Sequence, residues 1–296
     1  MQVCILKAKK TREIGPNYNK LINALKERFD RVEMSSLDTT ILEVHGNCDL
    51  KSFDAILPRI GSSDAKHGYF VLKQLEKQVY FPNKPESYLI TSDKYYTLVQ
   101  LEKNQIPVPE TYLVANKFDA KKICKDFGFP VVIKDPVGSH GEGVVIVKDI
   151  QTASAVIDDK YKTDRSRRLL IQEFIENPGE DLRLFVINEK VVASMKRIAH
   201  PDEIRSGLST GGSGEKCNIE KKIKEIAISA TKAIKADICG VDIIVNNDKA
   251  YVIECNLNPG FKIASITKVD IFKKITDFVY KETEKFKAEK LEEMVN

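Results

Sequence analysis

The stretch from Gly240 to Gly260, GVDIIVNNDKAYVIECNLNPG, most restricts the folds open to this chain. Two β-branched runs, VDIIV and AYVIE, flank the polar segment Asn246-Asn247-Asp248-Lys249, the sequence signal of a β-hairpin. Asp242 lies in the first strand, and Glu254 and Asn256 close the second. A carboxylate in an apolar strand is costly to bury unless it is paired or metal-bound. Oxygen side chains without His or Cys suit a hard cation such as Mg²⁺. The competing reading is a surface hairpin whose charges face water. Side chains alternate along a strand, so the three oxygen groups converge only if Asp242 lies across from Glu254. That register predicts an odd-numbered turn and a Cys255 side chain turned toward the core. A two-residue turn would put Glu254 on the opposite face.

The chain has 296 residues, enough for two domains or one domain with lobes. With 42% apolar and 30% charged residues it has the composition of a globular protein rather than a disordered one. No apolar run approaches the roughly 20 residues needed to span a bilayer, so no membrane partner is expected. The opening MQVCILKAKK reads as a first strand rather than a signal peptide. Six cysteines without any C-x-x-C predict a reducing, cytoplasmic setting and speak against a zinc site or disulfide framework. The net charge of +4 is too mild to predict nucleic-acid binding. The basic run from Lys160 to Arg168, KYKTDRSRR, reads as a solvated loop, with a docking site for an acidic partner as the alternative.

Residues 1 to about 90 alternate strand and helix signals: VCIL, then Leu21, Ile22, Leu25 and Phe29 at helical spacing, then FDAIL, then Tyr69, Leu72 and Leu75. Alternation of this kind predicts a small parallel α/β domain. Pro82 and Pro85 suggest its boundary, and Thr91 or Ser92 is positioned to cap the next helix. Further on, the apolar strand VVI delivers Lys134 to a glycine-rich loop, Gly138-Ser139-His140-Gly141-Glu142-Gly143. Backbone N–H groups near glycines can cradle phosphate oxygens, and Lys134 would add a point charge; a flexible hairpin tip is the competing reading. LLIQEF carries Glu173 in an apolar strand. A hairpin then puts Asp181, Arg183 and Phe185 on one face, with Lys196 or Arg197 facing the same cleft according to register. His200 to Gly214 is nearly devoid of apolar residues and reads as a mobile loop able to close over a site. A helix through Ile219 to Ile234 precedes the opening hairpin, and another begins near Asp270.

Five segments in this order resemble the ATP-grasp superfamily, and within it the RimK-like ligases: FDAILPRIG, SDK, PVVIKDPVGSHGEGV, IQEFIENPGEDLRLFVINEKVVASMKR, and GVDIIV with VIECNLNPGFK. The resemblance implies an α/β ATP-grasp fold. It divides the chain into an N-terminal α/β domain (1–90), a central lobe with the phosphate loop (91–175) and a C-terminal lobe with the metal site (176–296). It implies nucleotide contacts from Lys94, Lys134, Gly138, Ser139, Gly141, Gly143, Glu173, Phe174, Ile175, Asp181, Arg205 and Ser206. It also implies catalytic arginines at Arg183, Arg197 and Arg205, and metal ligands at Asp242, Glu254 and Asn256, with Glu254 bridging two Mg²⁺ ions, or Mn²⁺ in their place. The implied reaction is ATP-dependent ligation of L-glutamate to a carboxylate of a cofactor, carrier or protein through an acyl phosphate, with a homo-oligomer admitted. A phosphotransferase and a non-catalytic ATP sensor are the alternatives. Three features depart from the family pattern: Gly207 stands where Asn is common, Cys255 where Val or Ile is usual, and IASITKVDI lacks a common Thr–Gly pair.

Overall fold

The structure is a computed structural model that describes residues 1–9, 15–44, 48–138, 143–164, 166–177, 179–200 and 211–295, the last two by backbone alone. The chain opens with β1 (Gln2–Lys7), α1 (Pro16–Lys26), β2 (Arg31–Ser36), β3 (Ala55–Arg59), α2 (Ala65–Leu75) and α3 (Pro85–Thr91). The three strands form a parallel sheet in the order β2-β1-β3. Residues Val3 to Leu6 are wholly buried because the strand feeds two cores by alternation. Val3 and Ile5 pack with Leu21 and Leu25 of α1, while Cys4 and Leu6 pack with Val71, Leu72 and Leu75 of α2.

The central part holds α4 (Lys94–Lys103), β4 (Thr111–Val114), α5 (Lys117–Phe127), β5 (Val131–Lys134), β6 (Val145–Val147), α6 (Ile150–Thr163) and β7 (Leu169–Glu173). Its antiparallel sheet runs β4-β7-β5-β6 and shares a core with α5 and α6. Asp93 caps α4 by accepting from the backbone N–H groups of Tyr95 and Tyr96 at 2.8 and 3.1 Å. The expected caps, Thr91 and Ser92, instead close α3 and donate back to the Ser87 and Leu89 carbonyls. The basic run is also corrected. Lys160 to Thr163 form the last turn of α6, whose buried stripe is Ala153, Ile157 and Tyr161, and Lys160 reaches Asp135 at 2.8 Å. That four-residue spacing is a helix signal the surrounding charges obscure.

The C-terminal part comprises β8 (Glu180–Ile187), β9 (Lys190–Ile198), β10 (Ser213–Lys216), α7 (Lys221–Ala233), β11 (Ile238–Asn246), β12 (Lys249–Asn256), α8 (Lys262–Thr267) and α9 (Ile271–Val295). Its antiparallel sheet has the order β10-β9-β8-β11-β12. The loop expected to run to Gly214 ends sooner, because Ser213 and Gly214 pair with Ile198 and Arg197; residues 201–210 lie outside the described residues. Helix α9 returns to the N-terminal sheet, where Ile271, Ile275 and Val279 join the core of Val3 and Ile5. Among the described residues no helix is long and apolar enough to cross a membrane.

The hairpin of β11 and β12 corrects one expectation and keeps another. Asp242 does lie across from Glu254. Yet the turn has two residues, Asn247 and Asp248, with φ of 45° and 64°. Two positive φ values in a two-residue connection match the twist of the strands they join. A register shift between Asp242 and Ile243 makes Val252 the partner of Ile243 and leaves Ile253 unpaired. This β-bulge returns Glu254 to the face of Asp242, which a two-residue turn alone would not allow.

Asn83 joins the N-terminal segment to this sheet. Its side chain donates to the Ile238 carbonyl at 3.0 Å and accepts from the N–H groups of Asp237 and Ile238 at 3.0 and 2.8 Å. Replacement Asn83→Ala strips three backbone groups of their partner, two of them in the buried residue Ile238. We expect a loss on the order of 2–4 kcal/mol in stability, read by urea denaturation.

Candidate active site

The three sheets enclose one cleft of about 820 Å³, within the range of small-molecule sites. Strands of all three sheets supply its polar groups: Arg59 from β3, Lys134 from β5, Glu173 from β7, Asp181 and Arg183 from β8, Arg197 from β9, Asp242 from β11, and Glu254 and Asn256 from β12.

The floor is a buried network of two arginines and two aspartates. Arg197 donates through Nε and Nη2 to the two oxygens of Asp181, each at 2.6 Å. Arg183 grips Asp242 in the same two-pronged way, and Arg197 Nη2 also stands 2.9 Å from Asp242 Oδ2. The strand register brings these groups together: Asp181 pairs with Arg197 and Asp242 with Arg183, all on one face of the sheet. Asp242 is 2% exposed. Burial raises the carboxyl pKa, but Arg183 and Arg197 outweigh it and hold Asp242 below the usual carboxylate range. Burial likewise works against the Arg197 charge, and Asp242 and Asp181 overcome it, so its pKa lies above the ordinary value.

The opposite wall is positive and unpaired. Lys134, 6% exposed, donates to Gln172 Oε1 at 2.9 Å, and Gln172 is held in turn by Thr111 at 2.6 Å. Burial pushes the Lys134 ammonium down to about 8; Glu254 opposes that shift and Lys94 adds to it. Lys94 itself donates to the Gly138 carbonyl at 2.6 Å. Among the described residues neither lysine has a carboxylate at ion-pair distance. Two converging ammonium groups without a counter-ion make an anion site.

Glu254 and Asn256 complete the cleft on the β12 side. Glu254 is half-buried and has no ion pair or hydrogen bond among the described residues, and Asn256 Nδ2 is buried without a partner. The unpartnered Glu254 carboxylate suits a hard cation, whereas the atom that Asn256 leaves unpaired is an N–H donor. Asp242 fits less simply, since a cation there would compete with both guanidinium groups for the same oxygens. Among the described residues no three or more His, Cys, Asp and Glu side chains cluster as metal ligands. The Asn256-Leu257-Asn258-Pro259 turn reaches this position because Gly240 has no side chain: a Cβ there would lie 2.8 Å from Pro259 Cβ.

Of the other expected nucleotide contacts, Lys94, Gly138, Glu173, Phe174 and Ile175 line the cleft. Gly143 is not among the lining residues. Its φ is +76°, and a Cβ there would meet Asp135 Oδ2 at 2.3 Å, so it shapes the loop base instead. Ser139, Gly141, Arg205 and Ser206 lie outside the described residues. Two cleft residues were not anticipated. Gln172 orients Lys134, and a glutamine within the apolar run LLIQEF was the available signal. Arg59 is 7% exposed and closes an otherwise apolar strand.

A parallel N-terminal sheet followed by two antiparallel sheets around one cleft defines the ATP-grasp fold. The structure of a RimK domain ATP-grasp protein from Sphaerobacter thermophilus DSM 20745 matches with a TM-score of 0.77 at 21% identity, covering 94% of this chain and 99% of that one. The ATP-grasp ligase PsnB, complexed with minimal precursor, Mg and ADP, matches with a TM-score of 0.72 at 16% identity, covering 95% and 97%. The pattern of the RimK-like ATP-grasp domain matches residues 91–279. A probable alpha-L-glutamate ligase of Haemophilus influenzae strain PittEE is 36% identical over 233 residues, 78% of each chain. The chain therefore belongs to the RimK-like ATP-grasp family, and it is an ATP-dependent, amide-forming ligase.

The lowered Lys134 pKa has a consequence for stability. The folded state binds its proton more weakly than the unfolded chain, so the charge costs stability below about pH 8. That cost fades as pH rises from 8 toward the unfolded value. Lys134→Met is expected to be more stable than the natural chain at pH 7, on the order of 2–3 kcal/mol. The gap should narrow steadily above pH 8 in urea titrations at several pH values; a gap that widens with pH would contradict this.

Proposed function

We propose that this ligase joins an L-amino acid, L-glutamate first among candidates, through its amine to a carboxylate of a cofactor, carrier or protein. One observation carries the reading. One cleft sets two lysines that, among the described residues, have no carboxylate at ion-pair distance against the Glu254 carboxylate, which has no partner among them, the arrangement needed to hold a polyphosphate and a hard cation. The glutamate ligase relative and the Mg- and ADP-bound neighbour support the choice of substrates.

In this reading the acceptor carboxylate attacks the γ-phosphorus of ATP, the bond to ADP breaks, and an acyl phosphate forms. The amino-acid amine then attacks the acyl carbon, inorganic phosphate leaves, and the amine gives up a proton. Lys94 and Lys134 would neutralise the nucleotide phosphates. Glu173 to Ile175 would border the base, and Asp181 would fix Arg197 in place. Arg183 and Arg197 would meet the charge that develops on the transferring group. Glu254, Asn256 and Asp242 would hold Mg²⁺, or Mn²⁺ in its place, and the cation would supply further charge neutralisation at the phosphates. The lobes of this reading are residues 1–90, 91–175 and 176–296. Five buried cysteines and a half-buried sixth, none in a disulfide, support a reducing, cytoplasmic setting.

Phosphate release should depend on adding both an amino acid and a carboxylate acceptor, in a screen followed by mass analysis of the product. Release without any amine would instead mark a phosphotransferase, and ATP binding without release a sensor. Within the ligase reading, Glu254→Gln should lower turnover roughly a hundredfold. Unchanged turnover in that variant would remove Glu254 from the site.

A further inference from the structure

Arg59 stands out in the cleft for what it lacks. Arg183 and Arg197 each face an aspartate, whereas among the described residues no Asp or Glu pairs with Arg59. Its partners are neutral. Nη2 donates to the Pro259 carbonyl at 2.8 Å, and the guanidinium lies 4.3 Å from the centre of the Phe261 ring. The Tyr18 hydroxyl is beside it, and Nε is buried with no acceptor. A buried cation without a counter-ion is strongly unfavourable unless an anion arrives to complete it.

Its place in the fold says where that anion would sit. Arg59 ends β3, and three residues on Ser62 reaches the Gly138 carbonyl at 3.3 Å, the same carbonyl that Lys94 meets. On its other side are Pro259 and Phe261, which follow directly from Asn256. Arg59 therefore stands between the lysine wall and the Glu254–Asn256 strand. We propose that Arg59, with Tyr18, forms a subsite for a carboxylate of a substrate other than the nucleotide. The assignment rests on the ligase reading above and deepens it. A planar two-oxygen anion suits a guanidinium that lines the cleft and whose Nε has no acceptor. The lysines, which lie apart from it on β5 and α4, suit the phosphates.

Two sources could bring that carboxylate: the α-carboxylate of the amino acid, or the acceptor. Calorimetric titration of the full chain, loaded with Mg²⁺ and a non-hydrolysable ATP analogue, separates them. The probes are L-glutamate, L-isoglutamine (the α-carboxylate amidated), glutarate (no amine) and the other common amino acids. In Arg59→Gln we expect the carboxylate that binds the natural chain to weaken about tenfold or more, the size of a charge-assisted contact. Analogue affinity should stay within about twofold. If the subsite holds the α-carboxylate, L-isoglutamine should bind the natural chain as weakly as L-glutamate binds the variant. If it holds the acceptor, glutarate weakens and L-glutamate does not.

Arg59→Lys should recover part of the loss, and analogue binding with thermal denaturation reports whether each variant is folded. If Arg59→Gln does not fold, Tyr18→Phe at the half-buried neighbour is expected to give a smaller loss of the same probe. A variant that binds every probe like the natural chain overturns the subsite. So does one that loses the ATP analogue while folded, because Arg59 would then serve the nucleotide. Binding of an amino acid other than glutamate with the same dependence on Arg59 keeps the subsite and replaces glutamate in the reading above. A natural chain that binds the analogue and none of the carboxylates overturns both.

Discussion

The buried pairing of Arg183 and Arg197 with Asp181 and Asp242 is the interaction on which the cleft depends. Four charges at the junction of β8, β9 and β11 would be prohibitive one at a time, and together they are neutral and mutually hydrogen-bonded. The network also works as a register lock. A one-residue slip of β9 against β8 would turn Arg197 to the opposite face and leave Asp181 buried without its partner. The same face then carries Met195 and Phe185 into the core shared with the N-terminal sheet. Polar floor and apolar core are thus consecutive positions of single strands.

Around that neutral floor the charge is divided. Among the described residues Lys94 and Lys134 stand without counter-ions on one wall, and Glu254 without a partner on another. Keeping opposite charges apart in a low-dielectric cleft is unfavourable for the folded protein on its own. Arg59 extends the positive side toward the N-terminal domain, held among the described residues by a carbonyl, the Phe261 ring and the Tyr18 hydroxyl. This separation is the physical form of a site that awaits both anions and a cation. The depressed Lys134 pKa shows the cost of this separation in the folded protein.

Much of this was legible from the residues alone. Strand and helix alternation in the first 90 residues and the apolar strand before Lys134 follow from local patterns. Helix α6 was missed because charged residues interrupt a stripe of only three buried side chains. The hairpin shows how a right conclusion can rest on a wrong step. The positive φ of Asn247 and Asp248 made a two-residue turn, and a bulge at Ile253 repaired the register. A bulge has no local signature here, because Ile253 looks like any other strand residue; its partner strand decides it.

What the sequence by itself determined is periodicity and chemistry: which residues alternate, which carboxylates interrupt apolar strands, and which order of segments marks the family. These are properties of a residue and its near neighbours, and short-range sterics and hydrogen bonding carry them. What only the tertiary structure decided is the partnership between distant groups. Nothing local to ILPRIG says that Arg59 would meet Pro259, two hundred residues on, and no acid among the described residues. Nothing near Asp242 says that it would be shared by two arginines from two other strands. Whether a charge is paired, and therefore what it can bind, depends on which groups strand order and register bring within about 3 Å, the reach of a hydrogen bond. Those are global choices, made when the whole chain buries its apolar faces at once.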